Sequence, residues 1–253
     1  MASLILTPEL LLLLFAVALL AGCLDTLVGG GGLLCLPALV LAGMPPLQAL
    51  GTNKLQGTVG TATASFMMLR HGKVTLADAK YLMLAAFFGA ALGSLLVQLL
   101  DTAFLRFMIP LVLMLVGGYF LASGYLVKHL PTVVLPATWY GPLVVPLIGC
   151  YDGMFGPGTG SFFAMSAMTL RKMPLLEATA QAKTLNFATN FASLLVFVGA
   201  GKFVWQAGLC MMAGQMLGAY AVSHILFRIN PLFLRGLIVL ICLAMLVRFY
   251  FSA

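Results

Sequence analysis

Charged side chains are scarce in this sequence. Only 8% of its 253 residues are Asp, Glu, Lys or Arg, and only six residues are acidic. About a quarter of a typical soluble domain is charged, so this chain has too few charges to cover a water-exposed surface. The scarcity excludes a soluble enzyme and a disordered protein. With 62% hydrophobic residues and a mean hydropathy of +1.12, an integral membrane protein remains.

The residue spacings that mark catalytic or metal sites are also missing. The three histidines lie near segment ends without paired carboxylates, and the run Gly29–Gly32 is not followed by the Lys-Ser/Thr pair of a nucleotide-binding loop. The cysteines form no CxxC pair and lie singly in apolar stretches, at Cys23, Cys35, Cys150, Cys210 and Cys242. We therefore expect no enzyme, no cofactor and no metal ion. The net charge of +7 is spread over segment ends, which indicates orientation charges rather than a nucleic-acid surface.

Long apolar runs fill most of the chain. A membrane-spanning helix needs about 20 apolar residues, and the lack of strict alternation argues against a β-barrel. We predict an all-α, polytopic membrane protein whose segments are Leu10–Leu24, Leu33–Ala42, Leu47–Leu69, Tyr81–Leu100, Leu105–Val127, Leu135–Tyr151, Ser161–Leu170, Leu175–Val198, Val204–Phe227 and Leu232–Phe251.

The second half of this pattern repeats the first. The letters AGCLDTLVGGGG at 21–32 match IGCYDGMFGPGTG at 148–160, and GMPPLQALGTNKLQ at 43–56 matches KMPLLEATAQAKTL at 172–185. We predict two five-segment repeats, 1–130 and 131–253, within one integrated membrane domain.

The basic residues predict how the repeats lie in the membrane. If cytoplasmic connections carry the excess Lys and Arg, eight basic residues are inside, three are outside, and both termini are on the periplasmic side of a bacterial inner membrane. Equivalent segments then run in opposite directions. Such inverted repeats are common in secondary transporters.

A glycine-rich break precedes a short apolar piece in each half. The pieces 33–42 and 161–170 would be about 15 Å long as helices, half the hydrocarbon thickness. Broken helices at matching points of two inverted halves indicate a substrate site at the midplane. Helix N-termini with uncovered backbone N–H groups favour anions, although the glycines could instead serve close helix packing. The predicted anion-binding positions are Gly29, Gly30, Gly31, Gly32, Gly156, Gly158, Thr159 and Gly160.

One lysine lies about two turns into the third segment of each half. Lys54 and Lys183 occupy matching repeat positions. An intramembrane lysine is costly unless it is paired or hydrated, so it is a functional candidate. The alternative is that the side chains extend to the interface. Two matching lysines favour a shared substrate site.

Polar side chains follow these lysines at helical spacing. One stripe contains Lys54, Thr58, Thr61 and Ser65, and the other contains Lys183, Asn186, Asn190 and Ser193. We predict that Asn53, Gln56, Gln181, Asn186 and Asn190 contact substrate. For the Thr and Ser residues, hydrogen bonding between helices is the alternative.

Asp25 and Asp152 precede the two breaks by four residues. Each could bind a coupling proton or sodium ion, pair with Lys54 or Lys183, cap a helix or face water, and the sequence leaves these roles open. Cys23 and Cys150 also match across the repeat, and we expect them to be small buried residues.

These motifs resemble a known family. Residues 21–57 resemble the first signature of the TauE/SafE (TSUP) sulfite exporter family, and in particular the form found in its YfcA-like branch of probable membrane transporters. Their sequence is AGCLDTLVGGGGLLCLPALVLAGMPPLQALGTNKLQG. YDGMFGPGTGSFF followed by ATAQAKTLNFATN resembles the second. The resemblance implies a bacterial inner-membrane transporter of small sulfur-containing anions or sulfonates. It carries over to Asp25, Gly29–Gly32, Asn53, Lys54, Asp152, Gly156–Gly160 and Lys183, whereas Cys23 and Cys150 depart from the bulkier apolar residues expected there.

The sequence therefore predicts a transporter of sulfite, a sulfonate or a similar oxyanion that works by alternating access. Its expected partners are a small anionic substrate, a coupling proton or sodium ion and the lipid bilayer, without nucleic acid. A passive channel for anions or small solutes is the alternative function. The oligomeric state is left open, with a homodimer as one option.

Overall fold

The computed structural model describes residues 6–129 and 134–223. These residues form ten α-helices and one π-helical stretch, with no β-strand among them. The helices are α1 Pro8–Val28, α2 Gly32–Leu41, α3 Pro46–Arg70, α4 Leu76–Gln98, α5 Thr102–His129, α6 Ala137–Trp139, α7 Val145–Met154, α8 Thr159–Arg171, α9 Leu175–Gly199 and α10 Trp205–Ser223. The prediction of an all-α membrane fold is confirmed.

Three stretches in the described ranges are long and apolar enough to cross a membrane by themselves. They are Pro8–Thr26 in α1, Leu76–Gln98 in α4 and Thr102–Tyr119 in α5. Helices α3 and α9 have 25 residues each, but the polar side chains predicted for the site reduce their hydropathy. Their polar residues are buried between other helices rather than presented to lipid.

Local sequence explains where several helices begin. The Thr7 hydroxyl accepts a hydrogen bond from the Leu10 amide at 3.3 Å, and the Thr75 hydroxyl accepts one from the Asp78 amide at 3.2 Å. Such caps satisfy amides that lack a partner in the first turn. Helix α1 extends past the predicted end at Leu24, so Asp25 lies within its last turn.

The sixth predicted segment is helical but irregular. Between α6 and α7, residues Tyr140–Val144 form a π-helical stretch. Pro142 and Pro146 have no backbone N–H and cannot continue the regular hydrogen-bond ladder. Their positions account for the wider turn, which is a common response to a disrupted helix.

Helix contacts occur in pairs that match between the two predicted repeats. Helix α1 packs on α10 as α7 packs on α4, and α3 packs on α10 as α9 packs on α4. Helix α3 also packs directly on α9, which places the two polar stripes together. Glycines allow the closest approaches, since a Cβ at Gly149 would lie 2.5 Å from the Ala86 carbonyl oxygen.

The last predicted segment, Leu232–Phe251, lies outside the described residues, as do residues 224–227 of the ninth, Cys242 and the basic residues Arg228, Arg235 and Arg248. The boundary between the repeats at 130/131, their inverted orientation and the sides of the termini stay predictions.

Candidate functional site

Both predicted helix breaks are present. Helix α1 ends at Val28, and Gly29 adopts a left-handed backbone conformation with φ 78° before α2 begins. Helix α7 ends at Met154, and Gly156 and Gly158 adopt φ 95° and 79° before α8 begins. A residue with a Cβ is strained in this conformation, so these positions explain why glycine recurs at the breaks.

The two breaks meet in the interior. A Cβ at Gly29 would lie 2.6 Å from the Ser161 amide nitrogen, and one at Gly160 would lie 2.9 Å from the Gly29 Cα. A Cβ at Gly32 would lie 3.4 Å from the Cα of Pro157 across the same contact. The backbones of the two breaks therefore contact each other. The glycines allow this close packing, and the breaks lie together as predicted.

The two lysines are each bound to an aspartate of the other half. Lys54 donates from Nζ to the backbone carbonyl oxygen of Asp152, and its Nζ lies 3.0 Å from Oδ1 of the same residue. Lys183 donates to the carbonyl oxygen of Asp25, and its Nζ lies 3.9 Å from Oδ2. Both lysine side chains are 1% exposed. Neither lysine extends to the interface, so that alternative is wrong.

The carboxylates also bind the starts of the short helices. Asp25 Oδ1 accepts from the Gly31 amide at 3.3 Å, and Asp152 Oδ1 accepts from the Thr159 hydroxyl at 2.8 Å. Of the four roles left open for the aspartates, the structure contains pairing with lysine together with capping of the break. Donors predicted to bind an anion are therefore partly occupied by the protein's own carboxylates.

The amide side chains form short networks on α3 and α9. Gln56 donates to Asn53 at 2.9 Å, and Asn190 donates to the Asn186 side chain at 3.1 Å. The hydroxyls of Thr58, Thr61 and Ser193 donate to carbonyl oxygens of their own helices. The expectation that these hydroxyls bond between helices is wrong, because the preceding helical turn already offers an acceptor.

These elements surround a small cavity of about 20 Å³. Its walls are Asp25, Gly29, Gly32, Asn53, Lys54, Gln56, Gly57, Thr61, Asp152, Gly156, Asn186, Asn190 and Gln215. Seven predicted site residues are outside the lining, namely Gly30, Gly31, Gly158, Thr159, Gly160, Gln181 and Lys183. Most of these support the wall from behind: Lys183 binds Asp25, Thr159 binds Asp152, and Gly160 packs on Gly29.

Sequence reasoning missed one polar wall residue, Gln215 on α10. It is 2% exposed and packs against Gly60 of α3. Gln215 lies in an apolar run outside both repeated motifs, so only its polarity within that run signals a role.

Several buried oxygen atoms around the cavity have no hydrogen-bond donor. They are Asp25 Oδ2, Gln56 Oε1, Asp152 Oδ2, Gln181 Oε1 and Gln215 Oε1. Buried polar atoms are normally hydrogen-bonded. All five atoms are acceptors, and four of them belong to residues of the cavity wall.

No cluster of three or more metal-ligating side chains occurs in residues 6–129 and 134–223. The cysteines of these ranges are free thiols, and Cys35 is buried. The cavity combines buried charge, amide side chains and backbone from two helix breaks, which are groups that can bind a small polar solute.

Comparison with known proteins gives consistent matches along the chain. The sequence profile of a family described as Sulfite exporter TauE/SafE matches residues 14–249. A probable membrane transporter protein of Haemophilus influenzae is 40% identical over 237 residues, covering 94% of this chain and 93% of that protein. Probable membrane transporter protein ORF9 of Sinorhizobium sp is 40% identical over 243 residues, covering 95% and 92%. Probable membrane transporter protein YfcA of Escherichia coli K12 is 39% identical over 239 residues, covering 94% and 89%. No solved structure matches the chain.

Proposed function

This chain belongs to the sulfite exporter TauE/SafE family of membrane transporters, and from that premise we propose that it moves small sulfur-containing oxyanions, such as sulfite or a sulfonate, across the bacterial inner membrane by alternating access. The observation that carries this proposal is the junction of two broken helices beside a buried lysine on the wall of a polar cavity.

Several side chains that line the cavity can bind a small oxyanion directly. Lys54 supplies a positive charge, and the carboxamides of Asn53, Asn186 and Asn190 can present N–H donors to oxygen atoms. The cavity is formed by residues of both halves, so relative movement of the halves would change access to it. Transporters built from repeats bind substrate at such an interface.

Burial of the cavity favours alternating access over the passive channel. The lining residues Lys54 and Asp152 are each 1% exposed, and Gln56 is equally buried. A conducting pore needs a continuous path for its solute, whereas a cavity of about 20 Å³ between buried side chains has room for a solute only after the surrounding helices have moved. We therefore retain the channel only as an outcome of the test.

The test is anion flux in proteoliposomes that contain the purified protein. Lys54→Ala and Lys183→Ala each remove one buried lysine, and we expect at least a tenfold loss of sulfite or methanesulfonate flux, since each loss leaves a carboxylate without its cation. Lys80→Ala is the matched control, because Lys80 is exposed on α4 and packs over Tyr81.

Undiminished flux in both lysine variants would contradict the site assignment. Flux that does not saturate with concentration and shows no counter-transport would favour the channel. Absence of flux and binding for every oxyanion and sulfonate in a thermal-shift panel would overturn the proposed substrate class.

A further inference from the structure

Together with Lys183, the described residues of the cavity wall carry as much positive as negative charge. The ionisable residues of the wall itself are Asp25, Asp152 and Lys54, whereas Lys183 lies outside the lining, behind Asp25. An anion that enters this cavity meets two carboxylates and two ammonium groups, since Lys183 Nζ lies 3.9 Å from Asp25 Oδ2, and it makes the net charge of the site negative. Like charges at short range repel strongly in a site of low dielectric constant, so an anion needs an additional positive charge to remain there.

The unsatisfied atoms of the wall indicate the same need. Asp25 Oδ2, Asp152 Oδ2, Gln56 Oε1 and Gln215 Oε1 are buried acceptors without a donor. An anion brings further acceptors and satisfies none of them. A proton on a carboxylate removes a charge and creates an O–H donor at once, so it supplies both of the missing properties.

The two carboxylates are not equally able to take that proton. Asp152 Oδ1 has an ammonium group at 3.0 Å and a hydroxyl donor at 2.8 Å. Asp25 has an ammonium group at 3.9 Å and an amide donor at 3.3 Å. Asp152 therefore has the closer partners, and Asp25 is the less tightly bound of the two side chains.

The other titratable groups near these carboxylates do not replace them as proton carriers. Cys35 of α2 interacts electrostatically with Asp25, and Tyr151 of α7 with Asp152. Both groups are neutral when protonated, so an additional proton does not bind to them. Among the described residues, the remaining charges that face the aspartates are Lys54 from α3 and Lys183 from α9, each of which is paired with one of them.

A sodium ion fits the wall less well than a proton. A metal ion bound to either carboxylate would lie close to an ammonium group that is 3.0 or 3.9 Å away. Two cations at such separations repel each other. A proton becomes part of the carboxyl group and requires no additional space between it and the lysine.

Resting on the proposed function, we propose that each anion binds together with a proton and that Asp25 is the residue that accepts it. A hydronium ion on one side of the membrane transfers a proton to Asp25 Oδ2, where an O–H bond forms. The neutral carboxyl group then donates to the bound anion. On the other side the anion leaves, the O–H bond breaks, and the proton returns to water. The cycle involves no oxidation or reduction.

Proton uptake can be measured directly on the purified, full-length protein. Methanesulfonate is a suitable probe because it stays ionised over the neutral range. Calorimetric titrations in two buffers with different ionisation enthalpies give the number of protons taken up per anion. We expect an uptake approaching one proton, and an affinity that rises by up to about tenfold for each unit that pH falls, because binding and protonation are linked.

The Asp25→Asn variant identifies the acceptor. The asparagine amide mimics a protonated carboxyl group as a neutral donor, so we expect anion binding that no longer depends on pH and takes up no proton. In proteoliposomes, an imposed pH gradient should no longer drive accumulation, while exchange of anion across the membrane persists. Asp101→Asn is the control, because Asp101 is exposed between α4 and α5, and it should behave as wild type.

The results separate this proposal from the proposed function. Anion binding by the wild type without proton uptake, or accumulation driven by a sodium gradient, overturns the proton coupling and leaves anion transport standing. Proton uptake that persists in Asp25→Asn overturns the assignment to Asp25. If neither methanesulfonate nor any other oxyanion binds or moves, the proposed function fails and proton coupling fails with it.

Discussion

The two lysine–aspartate pairs differ although matching sequence motifs supply them. In the close pair, Lys54–Asp152, the charged atoms are 3.0 Å apart, whereas in the distant pair, Lys183–Asp25, they are 3.9 Å apart. Only the close pair places both of its members on the cavity wall. A repeated sequence has therefore produced one pair that is more firmly held and one whose aspartate has weaker partners.

The break sequences account for part of this difference. Thr159 stands in the second break where the first has Gly32, and its hydroxyl donates to Asp152. Glycine has no side chain to donate, so Asp25 relies on the Gly31 amide at a longer distance. A threonine in place of one glycine of the break thus adds a hydrogen bond to the aspartate seven residues before it.

The largest expected effect comes from removing the lysine of each pair in turn. Lys54→Met leaves Asp152 buried without its cation, and we expect a loss of about 3–5 kcal/mol in the free energy of unfolding. Lys183→Met should cost less, because Asp25 has the longer ion pair. Denaturation of the purified variants in detergent measures both losses. The double variant Lys54→Met/Asp152→Leu should recover stability, and equal losses for the two single variants would refute the distinction between the pairs.

Substituting alanine for Gly29 or for Gly156, which occupy matching positions, tests whether the two breaks contribute differently to stability. Gly29→Ala forces a Cβ against backbone of the other break, and we expect a loss of about 2–4 kcal/mol from overpacking and backbone strain. Gly156→Ala should have similar backbone strain at φ 95° but less overpacking, because the nearest atom to its Cβ is the Lys54 Nζ at 3.0 Å and not backbone below 3.0 Å. Thermal unfolding provides the measurement. Gly199→Ala is the control, with no atom within 4 Å of the added Cβ.

Removing the Thr159 hydroxyl should make the close pair resemble the distant one. We expect Thr159→Val to destabilise the protein by about 1.5–3 kcal/mol, the range for a hydrogen bond to a charged group, and to make anion affinity more dependent on pH. Calorimetry across a pH series measures the second effect. Thr179→Val is matched, since Thr179 is exposed and donates only within α9. A pH dependence identical to that of wild type would show that the Thr159 hydroxyl does not affect proton uptake with the anion.

The smallest effect is expected at Gln215, which has no polar equivalent in the other half. Counted by the spacing of the two lysines, its partner position on α4 is Ala86. We expect Gln215→Leu to raise the KM for anion flux several-fold and to leave stability nearly unchanged, because its Oε1 has no donor to lose. Flux as a function of anion concentration tests this. Gln206 is exposed on the same helix, so the control variant Gln206→Leu should have the KM of wild type. An unchanged KM in Gln215→Leu would show that Gln215 does not contact substrate.

Much of the site was predictable because its parts are local. The left-handed turns at Gly29 and Gly156, the short helices after them and the burial of Lys54 and Lys183 follow from glycine conformation, segment length and repetition. These features depend on a few consecutive residues. The helix boundaries were less accurate, since the cap at Thr75 starts α4 five residues before the apolar run that predicts it.

The remaining features depend on residues far apart in the chain. Which aspartate binds which lysine is determined by the packing of α1 and α7 against the lysine helices, so the sequence leaves the pairing open. Gln215 belongs to no motif and reaches the cavity only because α10 packs on α3. The sequence also leaves open where the hydroxyls of Thr58 and Thr61 donate, and in the structure their acceptors are carbonyl oxygens of their own helix.

The reciprocal pairing has a consequence for how the protein is made. Lys54 binds a residue 98 positions later in the chain, and Lys183 binds one 158 positions earlier. During synthesis, the N-terminal half therefore enters the bilayer with Lys54 and Asp25 both lacking their eventual partners. Unpaired charges are costly there, so a nascent chain that stops before α7 retains that cost. Insertion of the second half pairs these charges and removes that cost. The complete protein therefore differs from a truncated one in having its buried charges paired.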